Sequence, residues 1–180
     1  MVAPQLQFKY PQGTPDEAAV LLLLCTVNGQ VSVLFEERNR RLSSHSGEIC
    51  FAGGKADPRD LSLDHTAVRE AEEELGIDSR DVQIIGRLLP VPSKDYRLRV
   101  HPFVGVLADH VDVKKLKVNG DEVHRAFTLP LDHFYDLAKR STMRFRNTGL
   151  SIPVYQSDKQ GLAIWGLTAF ILHEFLRCIQ

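Results

Sequence analysis

The chain has 180 residues, of which 43% are hydrophobic and 25% charged, and its formal net charge at pH 7 is −1. Such a chain is the size of one globular domain, and without a net basic charge it is not expected to bind nucleic acid. Its three cysteines, Cys25, Cys50 and Cys178, are widely spaced, which argues against a disulfide or zinc framework and for a reducing compartment.

The apolar segments are too short to place the chain in a membrane. The longest apolar run, at residues 18–25, is well below the length of a membrane-spanning helix and has no signal-peptide pattern around it. We therefore expect a soluble intracellular protein in the cytoplasm, with an organelle left open. No sequence feature indicates its oligomeric state.

The predicted elements are strands followed by helices along one domain. Residues 1–17 contain four prolines and glycines and no periodicity, so we expect a flexible arm there and a single domain over residues 18–180. Asn28-Gly29 predicts a hairpin between the first two strands. The predicted strands cover residues 18–26, 30–35, 48–51, 82–89, 98–107, 123–129, 142–146 and 151–155. Helices at residues 131–139 and 162–179 complete a pattern that favours the α/β class, with a mixed sheet between helices.

The most informative stretch lies at residues 69–77 and reads Arg-Glu-Ala-Glu-Glu-Glu-Leu-Gly-Ile. Its pattern of apolar and acidic positions predicts an amphipathic helix. Ser62 or Asp64 is the expected N-terminal cap, and Gly76 is the expected stop.

Three carboxylates on one face of this helix indicate a metal site. Glu70, Glu73 and Glu74 fall within an arc of roughly 100° and repel one another. A hard divalent cation, Mg²⁺ or Mn²⁺, would neutralise them, because such ions prefer carboxylate and phosphate oxygens. Arg69 is placed to hold Glu70 by a charge-assisted hydrogen bond. The alternative is a solvated acidic helix face.

A glycine pair, Gly53-Gly54, precedes the acidic helix and follows a predicted strand. Glycines let the backbone come close to a metal or a phosphate, so that a carbonyl can serve as a ligand. The alternative is an ordinary tight turn.

Gly54, Asp60 and residues 69–77 together resemble the Nudix box, the signature of the Nudix hydrolases. Asp60 stands where the box usually has Glu, and eight rather than seven residues separate it from Arg69. The extra residue is typical of one branch, the coenzyme A diphosphatases. The resemblance runs from about residue 18 to residue 176 and implies a Nudix-type α/β/α sandwich with a mixed β-sheet.

A segment before the box resembles the coenzyme A branch in more detail. The branch signature is matched in register by Arg38, Gly47, Phe51, Gly53 and Gly54. Ser43 stands where the branch has a second arginine, and Ala52 stands where it has a proline. We expect Arg38 to bind substrate phosphates, with Arg40 and Arg41 close by, since phosphates need such cationic partners. The alternative for all three is a solvated basic loop.

The resemblance also implies roles for residues beside the acidic helix. It makes the Gly53 carbonyl a metal ligand together with Glu70, Glu73 and Glu74. It makes Lys55 a neighbour of the diphosphate and Asp60 a support for the site.

Two further candidates follow the box. Tyr96 is expected to stack on adenine or to line the pantetheine channel, unless it is an exposed loop aromatic. Glu122 is a candidate remote general base or auxiliary ligand, although His124 and Arg125 stand where the family usually has acidic residues.

The expected activity is that of a Nudix diphosphatase. The resemblance implies metal-dependent hydrolysis of coenzyme A or acyl-coenzyme A to adenosine 3′,5′-bisphosphate and 4′-phosphopantetheine or its acyl form. One alternative is another small nucleoside diphosphate derivative, such as ADP-ribose or NADH, or capped RNA. The other is a catalytically silent Nudix-fold binding module. We expect a small-molecule substrate and neither nucleic acid nor a membrane as a partner.

Overall fold

The structure is a computed structural model of the chain, and it describes residues 8, 10, 13–145, 149–157 and 161–179. The described residues form two α-helices, α1 (Leu63–Leu75) and α2 (Gly166–Cys178). They also form eleven strands: β1 (Asp16–Val27), β2 (Gln30–Arg38), β3 (Ile49–Cys50), β4 (Ala52–Lys55), β5 (Val82–Arg87), β6 (Val91–Pro92), β7 (Leu98–Leu107), β8 (Val123–Pro130), β9 (Arg140–Phe145), β10 (Leu150–Gln156) and β11 (Ala163–Ile164). Residues 1–7 of the expected arm lie outside the described residues. Its last two residues, Asp16 and Glu17, belong to β1.

Eight of these strands form one mixed sheet, in which β3, β2, β1, β7 and β5 are successive neighbours. β1 is parallel to β7 and antiparallel to β2, and β8 pairs with the other edge of β2. β4 pairs with β1 at residues 18–21, whereas β2 pairs with it at residues 23–27. β4 and β2 therefore share one edge of β1, which brings the glycine pair close to the end of β2. β9, β10 and β11 form a separate antiparallel sheet.

The hairpin between β1 and β2 is as predicted. Asn28 and Gly29 have φ values of 51° and 77°. Two successive residues with positive φ form the turn whose twist matches that of the flanking strands, and Asn-Gly adopts it readily.

Two hydrophobic cores cover the two faces of the large sheet. One contains the buried residues of α2, and the other contains those of α1. Alternate residues of the strands contribute to the two cores, as the pleat requires. In β2, Phe35 lies in the α2 core and Leu34 in the α1 core. The expected α/β/α sandwich with a mixed sheet is confirmed. Among the described residues, no helix is long and apolar enough to cross a membrane.

Two predicted helices differ from the structure. Residues 131–139 form two 3₁₀ turns, Leu131–Tyr135 and Leu137–Lys139, instead of one helix. They are separate because the Asp136 carboxylate accepts a hydrogen bond from Ala138 N at 3.0 Å and starts a new turn. The helix predicted at residues 162–179 begins only at Gly166, because Ala163 and Ile164 pair with β10.

Candidate active site

Helix α1 begins and ends where the sequence predicts. The Ser62 hydroxyl accepts a hydrogen bond from His65 N at 3.4 Å, which makes Ser62 rather than Asp64 the cap. Gly76 has a φ of 67° and donates its N–H to Glu72 O at 3.0 Å, which ends the helix in the left-handed conformation that glycine favours. These local signals fix the register of the acidic residues.

The three glutamates of the predicted acidic face lie in different environments. The Glu74 side chain is 3% exposed, Glu70 is 16% exposed and Glu73 is 57% exposed. Ala67, Ala71 and Leu75 on the same helix are buried against the sheet. The helix therefore turns Glu74 into the protein. Of the three glutamates, only Glu73 lies on a solvated face.

The glycine pair allows α1 to lie directly against β4. A Cβ atom at Gly53 would lie 2.4 Å from the Ala19 carbonyl oxygen, and one at Gly54 would lie 2.4 Å from a carboxylate oxygen of Glu70. Gly53 N donates a hydrogen bond to Glu74 Oε2 at 2.8 Å. Both glycines lie within β4, so the alternative of a simple tight turn is wrong. Gly54 thus provides the space in which the Glu70 carboxylate approaches the backbone, and the Gly53 amide holds the Glu74 carboxylate.

Arg69 connects four parts of the site. Its Nε and Nη2 atoms donate to the two oxygens of Asp60 at 2.9 and 3.1 Å, and Asp60 is nearly buried. Its Nη1 atom lies 2.9 Å from Glu70 Oε1 and 3.0 Å from Glu73 Oε2. Its Nη2 atom also reaches the Lys55 carbonyl at 3.3 Å. The hydrogen bonds from Arg69 hold the pKa of Asp60 well below its usual range. Asp60 thus stays ionised and holds the guanidinium beside Glu70.

Glu74 faces a second buried carboxylate that sequence reasoning missed, Glu36 in β2. Both residues are about 2% exposed or less. Burial raises the pKa of both carboxyl groups. The negative charges of Glu36 and Glu70 raise the pKa of Glu74 further. Burial also raises the pKa of Glu70. The signal in the sequence is the pair Glu36-Glu37 itself, since two acidic residues directly follow the apolar run at residues 33–35.

Arg38 lies between these two buried acids and is not part of a solvated loop. Its Nη1 atom is 3.7 Å from Glu74 Oε1 and 3.9 Å from Glu36 Oε1. Arg40, in contrast, is exposed and pairs with Glu37 at 3.3 Å. Arg41 is exposed as well. Of the three arginines before the glycine pair, the fold brings only Arg38 to the acidic cluster.

Glu122 lies in the turn that leads into β8 and is exposed. Its carbonyl accepts a hydrogen bond from Asn39 N at 2.7 Å, next to Arg38 in the chain. Its charge contributes to the raised pKa values of Glu36 and Glu70, which places it near the acidic cluster. Whether it acts as a base stays a prediction.

Lys55 and Tyr96 both lie near Asp16 at the start of β1. Lys55 Nζ is 3.2 Å from Asp16 Oδ2. Asp16, Tyr96 and Arg97 line a cavity of about 230 Å³ together with residues 13–15. Tyr96 has a φ of 61° and its ring contacts Tyr10 edge-on, with centroids 6.4 Å apart. Lys55 therefore lies between this cavity and the residues held by Arg69.

Within the described part of the chain, no three acidic, histidine or cysteine side chains converge closely enough to hold a metal ion. The hydrogen bonds explain this arrangement. Arg69 draws Glu70 and Glu73 to itself, and the Gly53 amide holds Glu74.

Comparisons with known proteins agree with this geometry. The NUDIX domain model matches residues 15–147. The chain is 33% identical over 190 residues to Nudix hydrolase 3 of Caenorhabditis elegans, covering 96% of this chain and 79% of the relative. It is 37% identical over 171 residues to the mitochondrial coenzyme A diphosphatase NUDT8 of Homo sapiens, covering 92% of this chain and 70% of the relative. The crystal structure of a C. elegans Ap4A hydrolase binary complex superimposes with a TM-score of 0.54 at 19% identity, covering 68% of this chain and 85% of that one.

The family match over residues 15–147 and these relatives show a hydrolase of the pyrophosphatase type. The chain belongs to the Nudix hydrolase family.

Proposed function

We propose that the protein hydrolyses the diphosphate of coenzyme A or acyl-coenzyme A, with Mg²⁺ or Mn²⁺ bound at the acidic cluster. The observation that carries this proposal is the pair of Glu70 and Glu74 facing the glycine pair, with Arg38 beside them. The similarity to a coenzyme A diphosphatase at 37% identity supports the choice of substrate. So does Arg38, which matches the arginine of that branch.

The residues present fit a hard divalent cation. The donors are carboxylate oxygens, which Mg²⁺ and Mn²⁺ prefer. Beside them, Glu36 Oε2 is buried and has no hydrogen-bond partner among the residues that the structure describes. The space beside Gly54 is free of any Cβ and admits the Glu70 carboxylate. Glu70 and Glu74 would hold the ion, with Glu73 and the Gly53 carbonyl as further ligands. When bound, the ion lowers the pKa of a coordinated water and neutralises charge on the diphosphate.

The remaining residues orient this group and bind the substrate. Asp60 fixes Arg69 by two hydrogen bonds, and Arg69 in turn orients Glu70. Lys55 follows the glycine pair in β4 and Arg38 lies beside Glu74, and each would pair with a phosphate oxygen. Tyr96 would receive the adenine or the pantetheine chain in the cavity beside Lys55. Glu122 would accept the proton of the attacking water from the exposed edge of the cluster.

One observation favours another nucleotide substrate. Ser43 replaces the second arginine of the coenzyme A branch, and Arg40 is held by Glu37 away from the acidic cluster. The 3′-phosphate of coenzyme A is a dianion that needs a cationic partner. A diphosphate without that phosphate, such as ADP-ribose or NADH, would not need the missing arginine.

A panel of substrates tests the proposal. Coenzyme A, acetyl-coenzyme A, 3′-dephospho-coenzyme A, ADP-ribose and NADH are incubated with the protein and either metal, and the products are identified by mass spectrometry. We expect the highest kcat/KM for coenzyme A or its thioester, with 4′-phosphopantetheine or its acyl form among the products. A preference for ADP-ribose or NADH would overturn the substrate assignment. Absence of turnover on every diphosphate would favour a silent binding module.

A further inference from the structure

Glu36 is a buried carboxylate for which the family resemblance gives no role. It is 1% exposed, and its Oε1 atom accepts a hydrogen bond from the Cys50 thiol at 3.2 Å. Its other oxygen, Oε2, is buried and has no hydrogen-bond partner among the described residues. Leaving a buried carboxylate oxygen without a partner is costly, so most such atoms in proteins are satisfied by a donor or an ion.

The neighbouring guanidinium does not satisfy this oxygen. Arg38 Nη1 lies 3.9 Å from Glu36 Oε1 and 3.7 Å from Glu74 Oε1, and both distances exceed that of a hydrogen bond. Arg38 Nε is also buried and has no hydrogen-bond partner in the described part of the chain. Arg38 thus lies between two carboxylates without forming a close hydrogen bond to either one.

The charges of the cluster are not balanced. Glu36 Oε1 and Glu74 Oε1 lie 3.9 and 3.7 Å from the same nitrogen of Arg38, and Glu74 and Glu70 lie against the adjacent residues Gly53 and Gly54. Arg38 is the cation beside the two most buried of them, since the guanidinium of Arg69 is bonded to Asp60 and Glu73 as well as Glu70. When ionised, the three carboxylates therefore carry an excess of negative charge in a buried place. A divalent cation would compensate it.

We propose that Glu36 supplies a carboxylate oxygen to the divalent-cation site formed with Glu70 and Glu74, an inference that rests on the metal-dependent function proposed above. Strand β2 brings Glu36 there because Leu34 and Glu36 lie on the face of the sheet that α1 covers. The Cys50 thiol holds one carboxylate oxygen, which leaves the other for the ion.

The next residue provides a matched control. Glu37 is also 1% exposed, but it belongs to the opposite face of β2. Its carboxylate is satisfied, since Arg125 Nε donates to it at 2.7 Å and Arg40 Nη2 at 3.3 Å. Glu36 and Glu37 are thus adjacent buried glutamates, and of the two only Glu36 faces Glu70 and Glu74. Removing the charge of Glu37 therefore controls for the loss of a buried charge in β2.

The test is Mn²⁺ binding to the full chain without substrate, measured by isothermal titration calorimetry and by the Mn²⁺-dependent rise in melting temperature. We expect Glu36→Gln to weaken Mn²⁺ binding by about tenfold or more, the effect typical of losing a residue that supports a metal site. Glu37→Gln should bind Mn²⁺ like the unmodified chain. Circular dichroism and a metal-free melt establish that each variant is folded. If Glu36→Gln does not fold, Glu36→Thr repeats the test with a residue suited to a strand.

A Glu70→Gln titration separates failure of this inference from failure of the proposed function. If Glu70→Gln loses Mn²⁺ affinity while Glu36→Gln and Glu36→Thr keep it, Glu36 is a core carboxyl and the inference is overturned, but the metal site stands. If the unmodified chain itself binds no Mn²⁺ at millimolar concentration, the metal-dependent function and this inference both fail.

Discussion

Substituting the two glycines of β4 one at a time should separate activity from stability. In Gly54→Ala the new Cβ would lie 2.4 Å from Glu70 Oε1 and 2.5 Å from its carboxyl carbon, whereas ordinary contacts begin near 3.4 Å. The atoms it meets are the end of a flexible side chain, so the carboxylate must retreat by about 1 Å while the backbone stays in place. A displacement of that size in a catalytic group can lower the rate by about 100-fold. We therefore expect kcat to fall by about that factor with little change in melting temperature.

Gly53→Ala should instead lower the melting temperature. Its Cβ would meet backbone atoms of β1, namely Ala19 O at 2.4 Å and Val20 Cα at 2.7 Å, which cannot move without disturbing the sheet. Overpacking of this kind costs about 1–3 kcal/mol. For a chain of this size each kcal/mol lowers the melting temperature by about 2–4 °C. Gly86→Ala in β5 is the control, because no described residue lies within 4 Å of the Cβ it would add.

The assay is hydrolysis of the best diphosphate substrate at saturating Mg²⁺, together with thermal melting of all three variants. Wild-type kcat in Gly54→Ala would show that Glu70 does not act from the position seen beside the glycine. A loss of melting temperature in Gly54→Ala as large as that in Gly53→Ala would also contradict the reasoning, because the clash would then involve the backbone.

Three further predictions concern the acidic cluster and its substrate. Glu70→Gln and Glu74→Gln should each lower turnover by orders of magnitude in steady-state assays, because each keeps the side-chain shape and removes a charge. The circular dichroism spectrum of each variant should stay native. Near-normal rates in either variant would contradict the metal-site interpretation. Burial raises the pKa of Glu74 from 4.5 to about 8. Without metal, the stability contributed by its protonated carboxyl is therefore complete below the lower value and is lost as the pH rises to the higher one. Melting temperatures measured from pH 5 to pH 9 should therefore fall more steeply for the metal-free chain than for Glu74→Gln, and parallel curves would rule this out. If Arg38 binds the 3′-phosphate of coenzyme A, the kcat/KM for coenzyme A should exceed that for its 3′-dephospho form. Arg38→Ala should then remove most of that difference. Equal kcat/KM values for the two forms in the unmodified chain would refute the coenzyme A assignment.

Local sequence signals were sufficient for the first hairpin and for the acidic helix. Asn28-Gly29 specifies its own turn, and Ser62 and Gly76 specify the two ends of α1 by hydrogen bonds within a few residues. The mixed sheet between helices followed from the order of apolar runs. The helix predicted at residues 131–139 was wrong because its apolar spacing says nothing about the hydrogen bond by which Asp136 divides it.

The sequence by itself determined that a helix with three clustered carboxylates follows a glycine pair, because helical periodicity and capping depend on near neighbours. Only the tertiary structure decided that Glu74 is buried, that Glu73 is exposed, and that Arg38 and Glu36 lie beside Glu74. The physical reason is that these environments depend on how α1 packs on β4 and β2. That packing is set by contacts between residues far apart in the chain, such as the Gly53 amide with Glu74, and no local pattern specifies them.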